Sequence, residues 1–230
     1  MGASVIIAAA GSAQRMQGKD KLLCSICGKE VLAYSLIAFA NAKCTDKIIV
    51  VTAREKIDAV KNIVSALKLP LAVEVTEGGS ERQQSVMRGL ELCSEGSECI
   101  MIHDAARPMI TPEKIDFLYD EIINKNKKAA ALGMPVKDTI KVVDGDGKIV
   151  LTPKRETLYI TQTPQGFEAQ LYRAAAQKAS LDNKSYTDDC QLVEAMGVAV
   201  YMVEGSYENI KITTPEDLIT AENFLKERGI

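Results

Sequence analysis

Close to its amino terminus the chain reads Val5-Ile6-Ile7-Ala8-Ala9-Ala10-Gly11-Ser12-Ala13-Gln14-Arg15-Met16, and Lys19 and Lys21 follow. The apolar half of this run predicts a buried strand. Ala9, Ala10 and Gly11 have little or no side chain, so backbone N–H groups there can approach an anion closely. Arg15 and Lys21 are suited to hold phosphate oxygens. A turn of small residues can also be purely steric in origin, but the two cations favour a phosphate-binding loop.

The loop matches neither of two common phosphate-binding motifs. Gly11 is not followed by the Gly-Lys-[Ser/Thr] of a Walker loop, and the three spaced glycines of the dinucleotide fingerprint are absent. The pattern Ala-Ala-Gly-x-x-x-Arg-Met, with Lys21 six residues after Arg15, resembles the loop of sugar-nucleotide pyrophosphorylase-type nucleotidyltransferases. In those enzymes the loop surrounds an incoming nucleoside triphosphate.

Composition limits the class of protein. The chain has 230 residues, of which 47% are hydrophobic and 26% charged, so we expect a single globular domain over residues 1–230. A net charge of −3 argues against a nucleic-acid binder. No apolar run approaches the roughly 20 residues of a membrane span, and the chain starts directly with a strand, so we expect neither a membrane partner nor a signal peptide. Six scattered cysteines predict reduced thiols and a cytoplasmic location.

Strand and helix patterns alternate along the chain. This predicts an α/β fold with a Rossmann-like, mostly parallel sheet and helices on both faces. Predicted helices cover residues 31–42, 56–67, 112–125, 168–179, 186–196 and 218–226, and predicted strands cover residues 47–52, 71–75, 129–134 and 198–203.

One segment interrupts this alternation. Two short β-type runs flank Asp144-Gly145-Asp146-Gly147, which predicts a protruding β-hairpin arm over about residues 137–152. A two-stranded hairpin is marginally stable alone. We therefore expect the arm either to lie on the body as a flap or to reach a second subunit.

A glycine pair precedes another predicted helix. Ser80 and Gln83 have the spacing of a capping box, so a helix should start just after Gly78-Gly79. Such a helix N-terminus can bind an anion or a polar ligand. A plain loop with a good cap gives the same pattern.

The strand Ile100-Met101-Ile102-His103 ends in Asp104-Ala105-Ala106-Arg107-Pro108. Ligands collect at the carboxyl ends of strands in open parallel sheets. Asp104 there suits Mg²⁺ or a sugar hydroxyl, and Arg107 suits a phosphate, although Asp104 could also be an ordinary turn carboxylate. His103 is the only histidine, which excludes a multi-histidine zinc site, and its place among apolar neighbours predicts a structural role.

Two further features need an interpretation. Cys24-x-x-Cys27 has no second cysteine pair and precedes a Gly-Lys turn, so we interpret it as a chance spacing. Polar and apolar residues alternate over residues 209–213. This predicts a strand whose Ile210 and Ile212 face the sheet while Lys211 faces the cleft. The alternative is a solvated edge-strand lysine.

The motifs together resemble the family of 2-C-methyl-D-erythritol 4-phosphate cytidylyltransferases over essentially the whole chain. The motifs that match, in chain order, are Ala9-Ala10-Gly11, Arg15-Met16, Lys21, Gly78-Gly79-x-Glu81-Arg82-x-x-Ser85-Val86, His103-Asp104-Ala105-Ala106-Arg107-Pro108, Asp138-Thr139-Ile140-Lys141, Thr163-Pro164-Gln165, Thr187-Asp188-Asp189 and Asn209-Ile210-Lys211-Ile212-Thr213-x-Pro215-Glu216-Asp217. The ribitol-5-phosphate cytidylyltransferases share several of these motifs and are the alternative. Lys21 rather than Lys19 aligns with the family lysine because Lys21 precedes the Leu-Leu-x-Ser-Ile run.

The resemblance implies transfer of CMP from CTP to 2-C-methyl-D-erythritol 4-phosphate, with Mg²⁺ as cofactor. It implies that Arg15 and Lys21 stabilise the transition state and that Arg155 and Lys211 orient the acceptor. It implies nucleotide contacts for Ala8, Ala9, Ala10, Gly11, Gly79, Ser80, Ser85 and Ala105. It also implies acceptor contacts for Asp104, Arg107, Thr139 and Thr187, with Asp104 nearest the metal.

The resemblance also implies a homodimer, because in this family the arm crosses to the other subunit, where Thr139 can serve the partner's site. A function of another class is a non-catalytic nucleotide-sugar sensor. Such a protein needs the pocket but not the cations, so Arg15 and Lys21 argue against it.

Overall fold

The computed structural model describes residues 2–11, 20–182 and 184–230, so the predicted role of Arg15 falls outside the described residues. The described residues form, in chain order, β1 (Ala3–Ala9), β2 (Ser25–Ile26), β3 (Lys29–Glu30), α1 (Val31–Asn41), β4 (Thr45–Thr52), α2 (Ile57–Leu67), β5 (Val73–Glu77), α3 (Arg82–Glu91), β6 (Cys99–Asp104), α4 (Pro112–Ile123), β7 (Ala129–Pro135), β8 (Val142–Val143), β9 (Ile149–Leu151), β10 (Tyr159–Glu168), α5 (Ala169–Leu181), α6 (Asp189–Glu194), β11 (Tyr201–Glu204) and α7 (Pro215–Glu227). None of these helices has the length and apolar character that crossing a bilayer requires.

A mixed sheet forms the centre of the part of the chain that the structure describes. Its strand order is β11-β7-β10-β6-β1-β4-β5, and only β10 runs antiparallel to its neighbours. The carboxyl ends of the other strands therefore meet at one edge. The register places Ala8 opposite Asp104 and Ala9 opposite Thr52, so the loop after β1 starts beside the end of β6.

Helices cover both faces of the sheet, as predicted. Along β1 the side chains alternate, so that Val5 and Ile7 pack with α1, α2 and α4, while Ile6 packs with α3, α5 and α6. Strand β1 is apolar except for Ser4, whose hydroxyl bonds with that of Ser97, because the strand is buried on both sides. The α/β prediction with a mostly parallel sheet is therefore confirmed.

Helix ends with local signals lie close to their predicted positions. Thr111 caps α4, with Pro112 at the first helical position, and its side chain accepts a hydrogen bond from the Lys114 N–H. Thr214 and Asp217 form a capping box at the start of α7. Apart from the strand predicted over residues 209–213, the predicted helices and strands start and end within three residues of those observed.

Strand β10 was not predicted. Its sequence includes Thr161-Gln162-Thr163-Pro164-Gln165, which is polar and contains a proline, yet it lies between β6 and β7. The register with β7 shifts between Thr161 and Gln165, an irregularity that accommodates a residue without an N–H. The hydroxyl of Thr163 accepts a hydrogen bond from the Asp104 N–H and lies 3.1 Å from Nδ1 of His103.

The hairpin predicted around Asp144 is present. Strands β8 and β9 pair antiparallel in a sheet of their own, and the Asp144 carboxylate accepts hydrogen bonds from the N–H groups of Asp146 and Lys148. Gly147 adopts a φ of +81°, which the turn requires. The apolar side chains of this arm are exposed.

Candidate active site

A cleft of about 380 Å³ opens at the carboxyl edge of the sheet. It is the place where a ligand is expected in an open α/β sheet. The residues that line it are Ala8, Ala9, Ala10, Gly11, Lys21, Leu22, Gly79, Ser80, Glu81, Arg82, Ser85, Asp104, Ala106 and Lys211. The structure therefore brings together most of the predicted nucleotide contacts, Lys21, Lys211 and Asp104.

The two loops of small residues pack against each other to form one wall. The Gly78 N–H donates to the Thr52 carbonyl at 2.7 Å, and the Gly79 N–H donates to Ser85 Oγ at 3.1 Å. A Cβ atom on Gly78 would lie 2.7 Å from Ser85 Oγ and 2.8 Å from the Cβ of Ala10. A Cβ atom on Gly79 would lie 2.4 Å from the Cβ of Gln84. Only glycine fits at these two positions.

The predicted capping box at Ser80 is wrong. Helix α3 begins at Arg82, its N-cap is Glu81, and that residue makes no side-chain cap hydrogen bond. Ser80 instead donates its N–H and its hydroxyl to Oε1 of Gln84. Because Gln84, in the first turn of the helix, holds Ser80, the loop keeps its place beside the cleft without the predicted cap.

Asp104 ends β6 among three cations. Lys211 Nζ lies 2.8 Å from Oδ2, Arg107 Nε lies 3.7 Å from the same oxygen, and Arg82 Nε lies 3.9 Å from Oδ1. Burial would raise the pKa of this carboxyl, but the cations, Lys211 foremost, outweigh burial and lower the pKa. Asp104 is therefore an ionised carboxylate facing the cleft.

Lys21 is tied to the segment that contains Lys211. Its Nζ donates to the Ile212 carbonyl at 3.0 Å, and the Ile212 N–H donates to the Ala106 carbonyl at 2.8 Å. These bonds position residues 209–213 along the cleft. Two lysines from chain positions far apart therefore reach one site.

The predicted strand over residues 209–213 is absent. The segment has an irregular backbone, and both Ile212 and Asn209 are buried, whereas strand alternation predicts that they point to opposite sides. Asn209 is buried because its side chain donates to the Thr163 carbonyl at 2.9 Å. Lys211 nevertheless faces the cleft, as expected.

Arg107 does not line the cleft. It is a buried side chain whose Nη1 donates to the Asn209 carbonyl at 2.7 Å, and its Nη2 lies 3.4 Å from the Thr161 carbonyl. Its contact with an acceptor phosphate stays a prediction, and the contacts seen here are structural. The guanidinium holds residues 209–213 and β10 beside Asp104.

Arg82 and Asp189 are site residues that the sequence did not single out. Arg82 lines the cleft and pairs with Asp189, with 2.6 Å between Nη2 and Oδ2. The side chain of Asp189 is only 3% exposed. The only signal for either residue was its place inside a family motif.

Four other predicted residues are not among those that line the cleft of their own chain. Ala105 is fully buried and donates its N–H to the Ala8 carbonyl. Thr139 and Arg155 are exposed at the base of the arm, where Arg155 Nη1 donates to the Lys137 carbonyl. Thr187 is exposed and donates its N–H to Gln191.

His103 is structural, as predicted. It is fully buried between Phe39, Ser35 and Thr163, and burial is the main cause that lowers its pKa to about 4. All six cysteines are free thiols. Cys24-x-x-Cys27 has no metal-binding partners, since no group of three or more His, Cys, Asp or Glu within the described residues could hold an ion.

The donor set still fits one mode of magnesium binding. Mg²⁺ commonly takes one or two carboxylates, several waters and the phosphates of a substrate. Asp104 is an ionised carboxylate at the cleft and can supply the protein ligand in that mode.

Known proteins are similar to this chain over nearly its whole length. The sequence profile of the family described as "IspD: 2-C-methyl-D-erythritol 4-phosphate cytidylyltransferase" matches residues 3–227. Relatives of that name from Caldanaerobacter subterraneus subsp. tengcongensis and Clostridium botulinum are 44% and 41% identical, over 99% and 97% of this chain and 100% and 97% of theirs.

Solved structures give the same result. A 4-diphosphocytidyl-2C-methyl-D-erythritol synthase from Anaerococcus prevotii has a TM-score of 0.84 at 33% identity, covering 98% of both chains. The 2-C-methyl-D-erythritol 4-phosphate cytidylyltransferase from Thermus thermophilus has a TM-score of 0.79 at 31% identity, covering 98% of this chain and 100% of the other.

Proposed function

Because the chain belongs to the 2-C-methyl-D-erythritol 4-phosphate cytidylyltransferase family and transfers the CMP moiety of CTP to that phosphate, releasing pyrophosphate, we propose that the reaction takes place in the cleft around Asp104. The observation that carries this proposal is the meeting of Lys21, Lys211 and Asp104 beside two loops of small residues. The proposal treats residues 1–230 as one nucleotidyltransferase domain, supported by a sheet that takes strands from both ends of the chain.

The nucleotide half is the wall formed by the loop after β1 and the loop before α3. We assign to it Ala8, Ala9, Ala10, Gly11, Gly79, Ser80 and Ser85, with Ala105 acting through the backbone beneath them. These residues leave backbone groups accessible, so the base and ribose are read mainly by main-chain hydrogen bonds. Lys21, and Arg15 by family resemblance, neutralise the triphosphate.

The acceptor half lies around Lys211 and Asp104. A phosphate oxygen of the acceptor attacks the α-phosphorus of CTP, and the nucleophile is already an anion. The chain therefore needs no strong general base, which agrees with a buried, neutral His103. The residues hold two anions in line and neutralise the charge that develops.

Mg²⁺ is the proposed cofactor. Asp104 would hold the ion together with phosphate oxygens of CTP, and the ion would supply charge neutralisation on those oxygens. When the acceptor phosphate enters, Lys211 gives up its ion pair with the Asp104 carboxylate and binds the phosphate instead.

A pyrophosphate-release screen tests the reaction. We expect release with CTP and 2-C-methyl-D-erythritol 4-phosphate, and at least about 100-fold lower kcat/KM with ATP, GTP or UTP or with ribitol 5-phosphate, because a cleft that leaves polar groups unpaired discriminates at this scale. Faster turnover of ribitol 5-phosphate would contradict the assignment. Binding of CTP without any release would indicate a nucleotide-sugar sensor.

The arm provides a surface for a second copy of the chain. Val150 is 65% exposed and Ile149 and Leu151 are each 56% exposed. An exposed cluster of large aliphatic side chains on a two-stranded hairpin indicates an interface. We propose a homodimer in which the arm, about residues 137–152, lies against the partner.

Arg155 and Thr139 then serve the partner's cleft. Arg155 lies where the chain returns from the arm, does not line the cleft of its own chain, and is bonded to Lys137 across the arm. Thr139 is exposed on the same part of the arm. Thr187 remains a proposed acceptor contact near the start of α6. The free thiols support a cytoplasmic location.

A mixing experiment tests this arrangement. Arg155→Ala and Lys211→Ala should each be inactive alone, but after subunit exchange a mixed dimer contains one cleft with both native residues. We expect the equimolar mixture to recover about a quarter of wild-type activity. Each variant carried through the exchange alone is the control. No recovery, with mixed dimers demonstrated by mass spectrometry, would place Arg155 in the cleft of its own chain.

A further inference from the structure

The described part of the cleft contains an arginine with a fixed anchor. Arg82 is the first residue of α3, between the nucleotide wall and Asp104, and its side chain is 34% exposed. Its Nη2 lies 2.6 Å from Asp189 Oδ2, and its Nε lies 3.9 Å from Asp104 Oδ1. The guanidinium is therefore held by Asp189 at Nη2, while the side chain also lines the cleft.

The carboxylate of Asp189 is buried and held in a fixed position. Its side chain is only 3% exposed, and its Oδ1 accepts a 2.6 Å hydrogen bond from Tyr172, a residue that stacks on Phe167 in the core. Asp189 also begins α6, where the helix dipole favours a negative charge. The backbone N–H of Asp189 donates to Gln165 at 3.0 Å. The position of this carboxylate is thus fixed independently of Arg82.

The charges at the cleft leave Arg82 free to serve an anion. Three cations and two carboxylates line the described cleft, so its lining has one positive charge in excess; they are Lys21, Arg82, Lys211, Glu81 and Asp104. Asp189 and Asp104 outweigh burial and raise the pKa of Arg82, which keeps it protonated. An arginine that only joined α3 to α6 would not need to line the cleft.

We propose that Arg82 is a further substrate-contacting cation, directed at the phosphate groups that react beside Asp104, and that Asp189 is the residue that positions it. The inference rests on the proposed function, because it takes Asp104 and Lys211 as the acceptor side of the cleft. A guanidinium that is anchored before the substrates arrive requires no reordering as charge develops on the phosphorus. Its effect should therefore be on kcat rather than on CTP binding.

Four variants test the proposal. Arg82→Gln should lower kcat about 100-fold, the scale of losing one preorganised donor, and change the Kd of CTP by less than about fivefold. Arg82→Lys should recover only part of kcat, since an ammonium cannot span Asp189 and the cleft together. Asp189→Asn keeps the shape of the anchor without its charge and should lower kcat about 10-fold. Lys178→Gln, an exposed change of the same charge on α5, should leave kcat unchanged.

The double variant separates positioning from folding. If Asp189 acts through Arg82, Asp189→Asn should cost less than about twofold in kcat when Arg82 is already Gln. Wild-type kcat in Arg82→Gln, or an equal loss from Asp189→Asn in both backgrounds, would overturn the inference. Lys211→Gln, measured in parallel, separates failure of this inference from failure of the proposed function. If Lys211→Gln also retains full activity, the cleft around Asp104 is not the active site.

Discussion

Replacing Lys211 by alanine should abolish turnover of 2-C-methyl-D-erythritol 4-phosphate, with at least about a 1000-fold loss of kcat/KM, the scale of removing a cation that stabilises a phosphoryl-transfer transition state. Lys211 Nζ lies 2.8 Å from Asp104 Oδ2 and its side chain is 43% exposed, so it can reach a phosphate in the cleft. Without Lys211, one cation fewer would offset the repulsion of the acceptor phosphate by the Asp104 carboxylate and by the triphosphate.

Binding of CTP should change by less than about 1 kcal/mol, the scale of a screened charge outside the nucleotide half. Calorimetry with Mg²⁺ measures this quantity, and steady-state pyrophosphate release measures turnover. Lys226→Ala is the matched control, because this lysine lies on the surface of α7 and pairs with Glu222 one turn before it. If Lys211→Ala used the acceptor at the wild-type rate, residues 209–213 would not form the acceptor site.

Lys21→Ala should lower kcat at least about 100-fold with a much smaller change in CTP affinity, as expected for a charge that acts mainly in the transition state. The Nζ of Lys21 also donates to the Ile212 carbonyl at 3.0 Å, so this substitution removes a bond to the segment that contains Lys211. Lys21→Gln removes the charge but keeps a donor for that carbonyl and so separates the two effects, because a loss of kcat as large as that of Lys21→Ala would indicate electrostatics.

Lys29→Ala, an exposed lysine of β3, is the matched control for Lys21→Ala. Single-turnover kinetics with saturating CTP report the chemical step, and calorimetry reports binding. Equal losses in CTP binding and in turnover would make Lys21 a ground-state anchor for phosphate rather than a group that stabilises the transition state.

Features with local causes could be predicted from the sequence. Thr111-Pro112 and Thr214-Pro215 mark helix starts because a capping side chain and the fixed φ of proline act within one turn. The hairpin turn at Asp144 is equally local. The parallel strands could be predicted because burial on both faces leaves continuous apolar runs.

Features that depend on distant partners could not be predicted. Strand β10 is polar, and it is stable in the sheet because Thr163 bonds with the backbone of Asp104, 59 residues earlier. Arg82 follows the glycine pair Gly78-Gly79, and Arg107 follows the end of β6. From the sequence, Arg107 was the predicted substrate contact. Arg107 turns away because it bonds to the Asn209 carbonyl, 102 residues away, while Arg82 stays at the cleft because Asp189 holds it from 107 residues away.

The wall formed by the loop after β1 and the loop before α3 affects how mutations could make the enzyme resistant to an inhibitor. A compound that takes its affinity from the backbone of residues 8–11 and 78–79 contacts few side chains that a mutation could change. Adding even a methyl group at Gly78 would collide with Ser85 and Ala10, and at Gly79 with Gln84, so resistance by blocking the pocket there would damage the nucleotide site itself. Compounds that rely on Lys211 meet the same restriction, since the acceptor needs that residue. Resistance by filling the pocket is therefore sterically restricted at Gly78 and Gly79, whereas a Cβ atom on Gly11 would meet no atom of the described residues within 4 Å.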